Sequence, residues 1–223
     1  MSQVPVAIKQ GEGGVLSGVL HVPESPSGVA CVIGHGAGSH MQSARVVATA
    51  AALATRGHHA LRWNFPYREA GARMPDPMPK LERAYRAAAG WLLTRQRGGR
   101  LVLGGRSLGG RVASHLAAAG FPCDGLVFFG YPLHPAKKTS ALRDEHLPRI
   151  RAPMLFVQGS RDALCELDRL RPVLARIGPH AELYVVHGAD HALDIRKSSG
   201  RTAAEIEAEV AAVVDAWLRA RIG

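Results

Sequence analysis

One serine stands between paired glycines in "LVLGGRSLGGRVASHLAAA", residues 101–119. Gly105-Arg106-Ser107-Leu108-Gly109 fits the pattern G-x-S-x-G, at a point where an apolar, strand-like run gives way to an alanine-rich helical one. So sharp a corner needs glycines, because side chains beside the serine would meet the crossing backbone. It would lift the hydroxyl above the edge of a sheet and aim the free N–H groups of the next helix at a developing negative charge. A serine hydroxyl is a weak nucleophile, so it needs a base and a group that orients the base. "PMLFVQGSRDALC" puts Asp162 just past a later apolar run, and "LYVVHGADHALDI" puts His191 past the next one. Serine, acid, histidine is the chain order that this strand-turn-helix context carries. Alone, Asp162 reads slightly better as a turn residue or as the N-cap of a helix over "ALCELDRL", and His187 competes with His191 as base. Asp190 abuts His191 too closely to hold its ring from behind, and Asp194 could serve a surface turn. His58, His59 and His180 read as surface or packing residues, and no spacing of His, Glu and Asp has the pattern of a metal site.

The tetrahedral species of acyl transfer also needs N–H donors for its oxyanion. "VIGHGAGSH" ends an apolar run in His35-Gly36-Ala37-Gly38, whose small residues let backbone amides approach a ligand. The expected donors are the amides of Leu108 and Ala37. A glycine-rich turn without a ligand is the plainer alternative. Gly36, Tyr67 and Arg106 are expected to face the substrate, with Arg62 and Arg68 in the same strand-end stretch "RWNFPYRE" as Tyr67. Guanidinium groups there would favour an anionic acyl or alcohol portion. Ion pairs of Arg62 and Arg106 with Asp76 or Glu69 are the competing explanation, and the favoured one.

All these residues must hang from one edge, and the remaining sequence supplies it. "VAIK" and "LSGVLHVP" read as strands around the turn-rich "QGEGG". "GVACVIGHG", "HHALRWNF", "RLVLGG", "DGLVFFGYP", "PMLFVQGS" and "AELYVV" read as further strands. Helices are expected over "SARVVATAAALATRG", with Ser43 as N-cap and Gly57 as stop, over about residues 81–97, after Ser107, and over "TAAEIEAEVAAVVDAWLRARI". "PYREAGARMPDPMPK" reads as a proline-rich loop, and "SALRDEHLPRI" as a loop with room for one helix. Continuous apolar strands separated by helices call for an α/β architecture, a mostly parallel sheet covered on both faces. No composition break divides residues 1–223, so a single domain with a relatively open site and no separate lid is expected.

Composition narrows the classes further. Of 223 residues 47% are hydrophobic, enough for one core, yet no apolar run is long enough to span a membrane. "MSQVPVAIKQ" lacks the pattern of a secretory signal. Cys31, Cys123 and Cys165 have no Cys-x-x-Cys spacing, which argues against a disulfide framework or zinc site and fits a reducing cytoplasm. Cys31 lies in an apolar run and reads as core. The formal net charge is +10, but the arginines are scattered and not interleaved with aromatics. That speaks against nucleic acid and leaves an anionic substrate open.

"LRWNFPYRE" with "RMPDP", "GGRSLGGRVAS", "GLVFFGYPLHP", "LRDEHLPRIRAPMLFVQGSRDALC" and "GADHAL" together resemble a small, capless α/β-hydrolase of the testis-expressed-protein type, related to dienelactone-hydrolase-like proteins. The resemblance runs over about residues 30–195. It implies an α/β-hydrolase fold, a Ser107–Asp162–His191 triad and an oxyanion site at the loop of residues 35–38. Members are largely named by fold, and a related eukaryotic domain serves as a subunit of a complex. Two functions therefore stand side by side. One is a serine hydrolase that cleaves a small-molecule carboxylic ester or thioester through an acyl-enzyme, with no cofactor. The other is a non-catalytic binding or scaffold protein that keeps the fold. Peptide cleavage is a third option, and the oligomeric state is open.

Overall fold

A computed structural model describes residues 1–223 apart from 12, 13 and 97, with residue 197 described in its backbone alone. Among the described residues the apolar runs become eight strands: β1 (Ser2–Lys9), β2 (Val15–Val22), β3 (Val29–Gly34), β4 (His59–Trp63), β5 (Arg100–Arg106), β6 (Gly125–Phe129), β7 (Met154–Gly159) and β8 (Ala181–Val186). They form one sheet in the order β1-β2-β4-β3-β5-β6-β7-β8. β1 and β2 are antiparallel to their neighbours, and β3 to β8 all run parallel. β3, β4, β6 and β7 are buried along their whole length. That is why their sequences are mostly apolar rather than alternating, with His59 and Arg62 of β4 and Gln158 of β7 as buried polar exceptions.

Among the described residues six α-helices cover the sheet: α1 (Ala44–Thr55), α2 (Pro66–Glu69), α3 (Met78–Leu93), α4 (Leu108–Ala118), α5 (Leu167–Ile177) and α6 (Ala203–Arg221). Alternate strand residues feed two cores. Val32, Leu103, Phe128 and Phe156 meet α3, α4 and α5 on one face, through Tyr85, Val112 and Leu170 among others. Cys31, Ile33, Val102 and Val157 meet α1 and α6 on the other, through Leu53, Val210 and Trp217. All six parallel strands end on the same edge, and no large cap covers it.

Several expectations are corrected. The proline-rich stretch after β4 holds α2 and the start of α3, each with proline in its first turn. Proline lacks an N–H that a first turn does not use, so a residue read as a breaker is here a starter. α3 ends at Leu93, and Arg97 lies outside the described residues, as do Glu12 and Gly13 of the turn expected between β1 and β2. "SALRDEHLPRI" is a loop, as read, and the helix it has room for is one short 3-10 turn, Leu147–Arg149. Ser43 precedes α1, but its hydroxyl caps no helix N–H and instead accepts from His40 N at 3.1 Å and Ser39 Oγ at 2.7 Å. Among the described residues no helix is long and apolar enough to cross a membrane.

Candidate active site

Between β5 and α4 the chain turns on Ser107 alone, whose φ of 50° and ψ of −114° lie where a residue with a Cβ is strained. The turn closes because backbone meets backbone beneath it. A Cβ on Gly34 would stand 2.9 Å from Gly109 Cα, and one on Gly109 would run into Gly34. The first turn of α4 therefore rests on the end of β3, which sets Ser107 beside the loop that follows β3. A Cβ on Gly36 would be 3.6 Å from Ser107 Cβ.

On its other side Ser107 meets His191. The Ser107 hydroxyl donates to His191 Nε2 at 2.8 Å, and His191 Nδ1–H donates to Asp162 Oδ2 at 2.7 Å. The carboxylate accepts, which assigns the imidazole proton to Nδ1 and leaves Nε2 as acceptor. Asp162 is 4% exposed and does not cap α5, which begins five residues later. Its Oδ1 takes the Leu164 N–H at 2.7 Å, and its Oδ2 also takes the Gln158 side-chain amide. Gln158, fully buried at the end of β7, accepts the Tyr131 N–H at 2.9 Å through its other atom. Asp190 does not reach the ring. It folds the loop by accepting from Ala192 N and Asp194 N at 2.9 and 3.0 Å. Asp194 pairs with Arg45, and His187 is exposed.

The loop after β3 is braced from behind. Tyr67 OH donates to Ala37 O at 2.8 Å, while Gly36 O accepts from Ser39 N at 3.1 Å and from His35 Nδ1–H at 2.8 Å. His35 Nε2 in turn accepts the Phe65 N–H at 3.1 Å, so both ring nitrogens are committed to one tautomer. Burial pushes the His35 pKa down to about 4, which keeps the ring neutral as those bonds require. A trans peptide points its N–H opposite its C=O. With the Gly36 carbonyl tied to the protein, the Ala37 N–H is turned away from it. The amides of Ala37 and Leu108 donate to no backbone or side-chain acceptor among the described residues.

Two expected neighbours of the substrate, Tyr67 and Arg106, lie elsewhere, as do Arg62 and Arg68. Tyr67 is 2% exposed and supports the loop from within. Arg106 follows the strand alternation of β5 onto the α1/α6 face, where it donates to Ala192 O at 2.7 Å and Thr49 Oγ1 at 3.4 Å. Arg62, 3% exposed, donates to His21 Nε2, Met41 O, Gln42 Oε1 and Gln3 Oε1, so it neither frames a pocket nor pairs with an acid. Asp76 pairs with Lys80, and Glu69 accepts from Ser17 N. Arg68 donates to Ala72 O at the surface. Gln158 is the supporting residue that sequence reasoning missed, although one amide at the end of "PMLFVQG" was the visible signal. A second serine–histidine contact, Ser114 Oγ with His146 Nε2 at 2.7 Å, is buried beneath α4. Its hydroxyl also donates to Arg111 O, and no acid pairs with His146 among the described residues. No cluster of three or more His, Cys, Asp or Glu among them is placed to hold a metal ion.

A serine at a strand-to-helix corner, beside an imidazole and a buried carboxylate on the carboxyl edge of a mostly parallel sheet, defines a serine-hydrolase-like α/β protein. Residues 27–219 match the alpha/beta hydrolase domain family, and the chain belongs to that family of hydrolases. The family is broader than the testis-expressed type that the motifs resemble. Among solved structures, a dienelactone hydrolase from Anabaena variabilis is 21% identical with a TM-score of 0.78, covering 100% of this chain and 99% of that one. A serine hydrolase without lid from Xanthomonas campestris is 20% identical with a TM-score of 0.77, covering 98% and 94%. A serine hydrolase homologue from Coxiella burnetii is 20% identical with a TM-score of 0.77, covering 98% of each. At such identities the likeness is one of fold.

Proposed function

We propose that the protein hydrolyses a small carboxylic ester or thioester, with residues 1–223 acting as one domain. Ser107 is the nucleophile, His191 its base, Asp162 the group that holds and stabilises the imidazolium, and the Ala37 and Leu108 amides the oxyanion donors. The observation that carries this reading is the unbroken run of hydrogen bonds from Ser107 through His191 to a buried Asp162. As Oγ attacks the carbonyl carbon, His191 Nε2 takes its proton and the carbonyl oxygen becomes an oxyanion between the two amides. The imidazolium then protonates the departing alcohol or thiol, leaving an acyl-Ser107. Water, deprotonated by His191, attacks the acyl carbon, and collapse of the second tetrahedral species releases the acid and returns the proton to Ser107. The dienelactone hydrolase among the similar folds favours an ester over an amide.

A fluorophosphonate probe followed by peptide mass spectrometry tests the assignment. Labelling is expected on Ser107, is lost in Ser107→Ala and persists in Ser114→Ala. Hydrolysis of short p-nitrophenyl esters should fall by about 10⁴-fold or more in Ser107→Ala. Labelling of Ser114, or an ester rate indifferent to Ser107, would overturn the reading; no labelling and no turnover would favour the scaffold role.

A further inference from the structure

Between α1 and α6, on the face of the sheet opposite α4, lies a cavity of about 50 Å³. Its walls are apolar, chiefly Leu53, Phe129, Leu193, Ile206, Val210 and Val214. Among the charged residues that line it, Arg106 reaches it from the end of β5 as a half-buried side chain. The Arg106 guanidinium carries five N–H groups, and only Ala192 O and Thr49 Oγ1 accept from it. Among the described residues no carboxylate lies within ion-pair distance of Arg106. Asp194 is committed to Arg45, and Glu207 stands exposed on α6 at the rim. Burial lowers the Arg106 pKa to about 10, which still leaves it cationic at neutral pH.

A half-buried cation with no ion-pair partner, acted on only at longer range by Asp194 and Glu207 and facing an apolar hollow, selects its occupant. We propose that this cavity is a binding site for a short-chain carboxylate, with the carboxylate forked onto Arg106 and the chain against the apolar walls. Bidentate acceptance matches the planar guanidinium, which a halide or a neutral amide cannot do. A volume of about 50 Å³ holds roughly four water-sized atoms, so the acid has roughly two to three carbons. The site is separate from Ser107, and the proposal stands whether or not Ser107 is a nucleophile. It is not remote, however. Arg106 precedes Ser107 in sequence, and its acceptor Ala192 follows His191. An occupant would therefore touch the backbone that carries both.

The full-length protein, ¹⁵N-labelled, is titrated with sodium propionate and separately with propionamide, at constant ionic strength. Saturable shifts are expected at Arg106 Nε–H and at the Ala192 and Leu193 amides, with propionamide binding at least about ten-fold more weakly. Arg106→Met should weaken propionate by at least about ten-fold. Ala211→Leu, which fills the hollow from α6 and leaves Arg106 in place, should do the same if Arg106→Met fails to fold. Equal response to propionamide, shifts that do not saturate, or wild-type binding by Ala211→Leu would overturn the proposal. Shifts confined to Ala37 and Leu108 would also overturn it, since the acid would then sit at the Ser107 site.

Discussion

Tyr67 and His35 lie behind the residues that would meet a substrate, yet they hold the peptide whose N–H would receive the oxyanion. Removing the Tyr67 hydroxyl takes away its 3.4 Å contact with Gly36 O and its 2.8 Å bond to Ala37 O, and the peptide that carries the Ala37 N–H can then rock away from its bonding direction. Tyr67→Phe should lower kcat by about ten-fold and leave KM within about two-fold, since the loss falls on the transition state. An unchanged kcat for a chromogenic ester would show that the loop needs no such brace. Ser107, Asp162 and His191 were legible because each belongs to a local pattern: a corner between glycines, or the first loop beyond an apolar run. Tyr67, Arg62 and Arg106 were misread because nearness in sequence to a strand end does not say which face a side chain takes. Arg106 shares the face of Val102, and Arg62 alternates with Leu61 and Trp63, so neighbours along the chain point apart.

The element that matters most is α4, and its placement depends on the absence of atoms. Gly109→Ala would drive a methyl group into the Gly34 backbone, and neither β3 nor α4 can yield, since both are buried. A loss of about 3 kcal/mol or more is expected in urea unfolding, with ester hydrolysis falling alongside it as the corner shifts. A variant as stable as the parent would show that α4 can slide. The strands were readable because a buried parallel strand has no polar face to disguise it. α2 and the first turn of α3 were not, because a proline in a first turn and a proline in a loop look alike until the chain's path is known.

Across the whole molecule, acid should be more damaging than base. His21, His35 and His146 are buried, and burial depresses their pKa values to about 4, about 4 and about 3. In the unfolded chain each would titrate near 6.5. Below that pH the unfolded chain takes up protons that the folded one refuses, so stability is complete above about 6.5 and drains as the pH falls towards 4. The slope is at most on the order of 1 kcal/mol per pH unit for each group. A formal charge of +10 adds self-repulsion in the same direction as histidines ionise. Urea midpoints should be flat from pH 7 to 8 and fall steeply from 6.5 to 4.5; a flat profile throughout would contradict the burial of these rings. The corner at Ser107 bears on the same balance. Its backbone angles suit glycine and tax any other residue by roughly 1–3 kcal/mol. Ser107→Gly should therefore raise the urea midpoint, by an amount equivalent to about 1 kcal/mol or more, while ending hydrolysis. A midpoint that falls instead would mean the corner is relaxed. The sturdiest version of this chain and its working version are thus different sequences, one hydroxymethyl group apart.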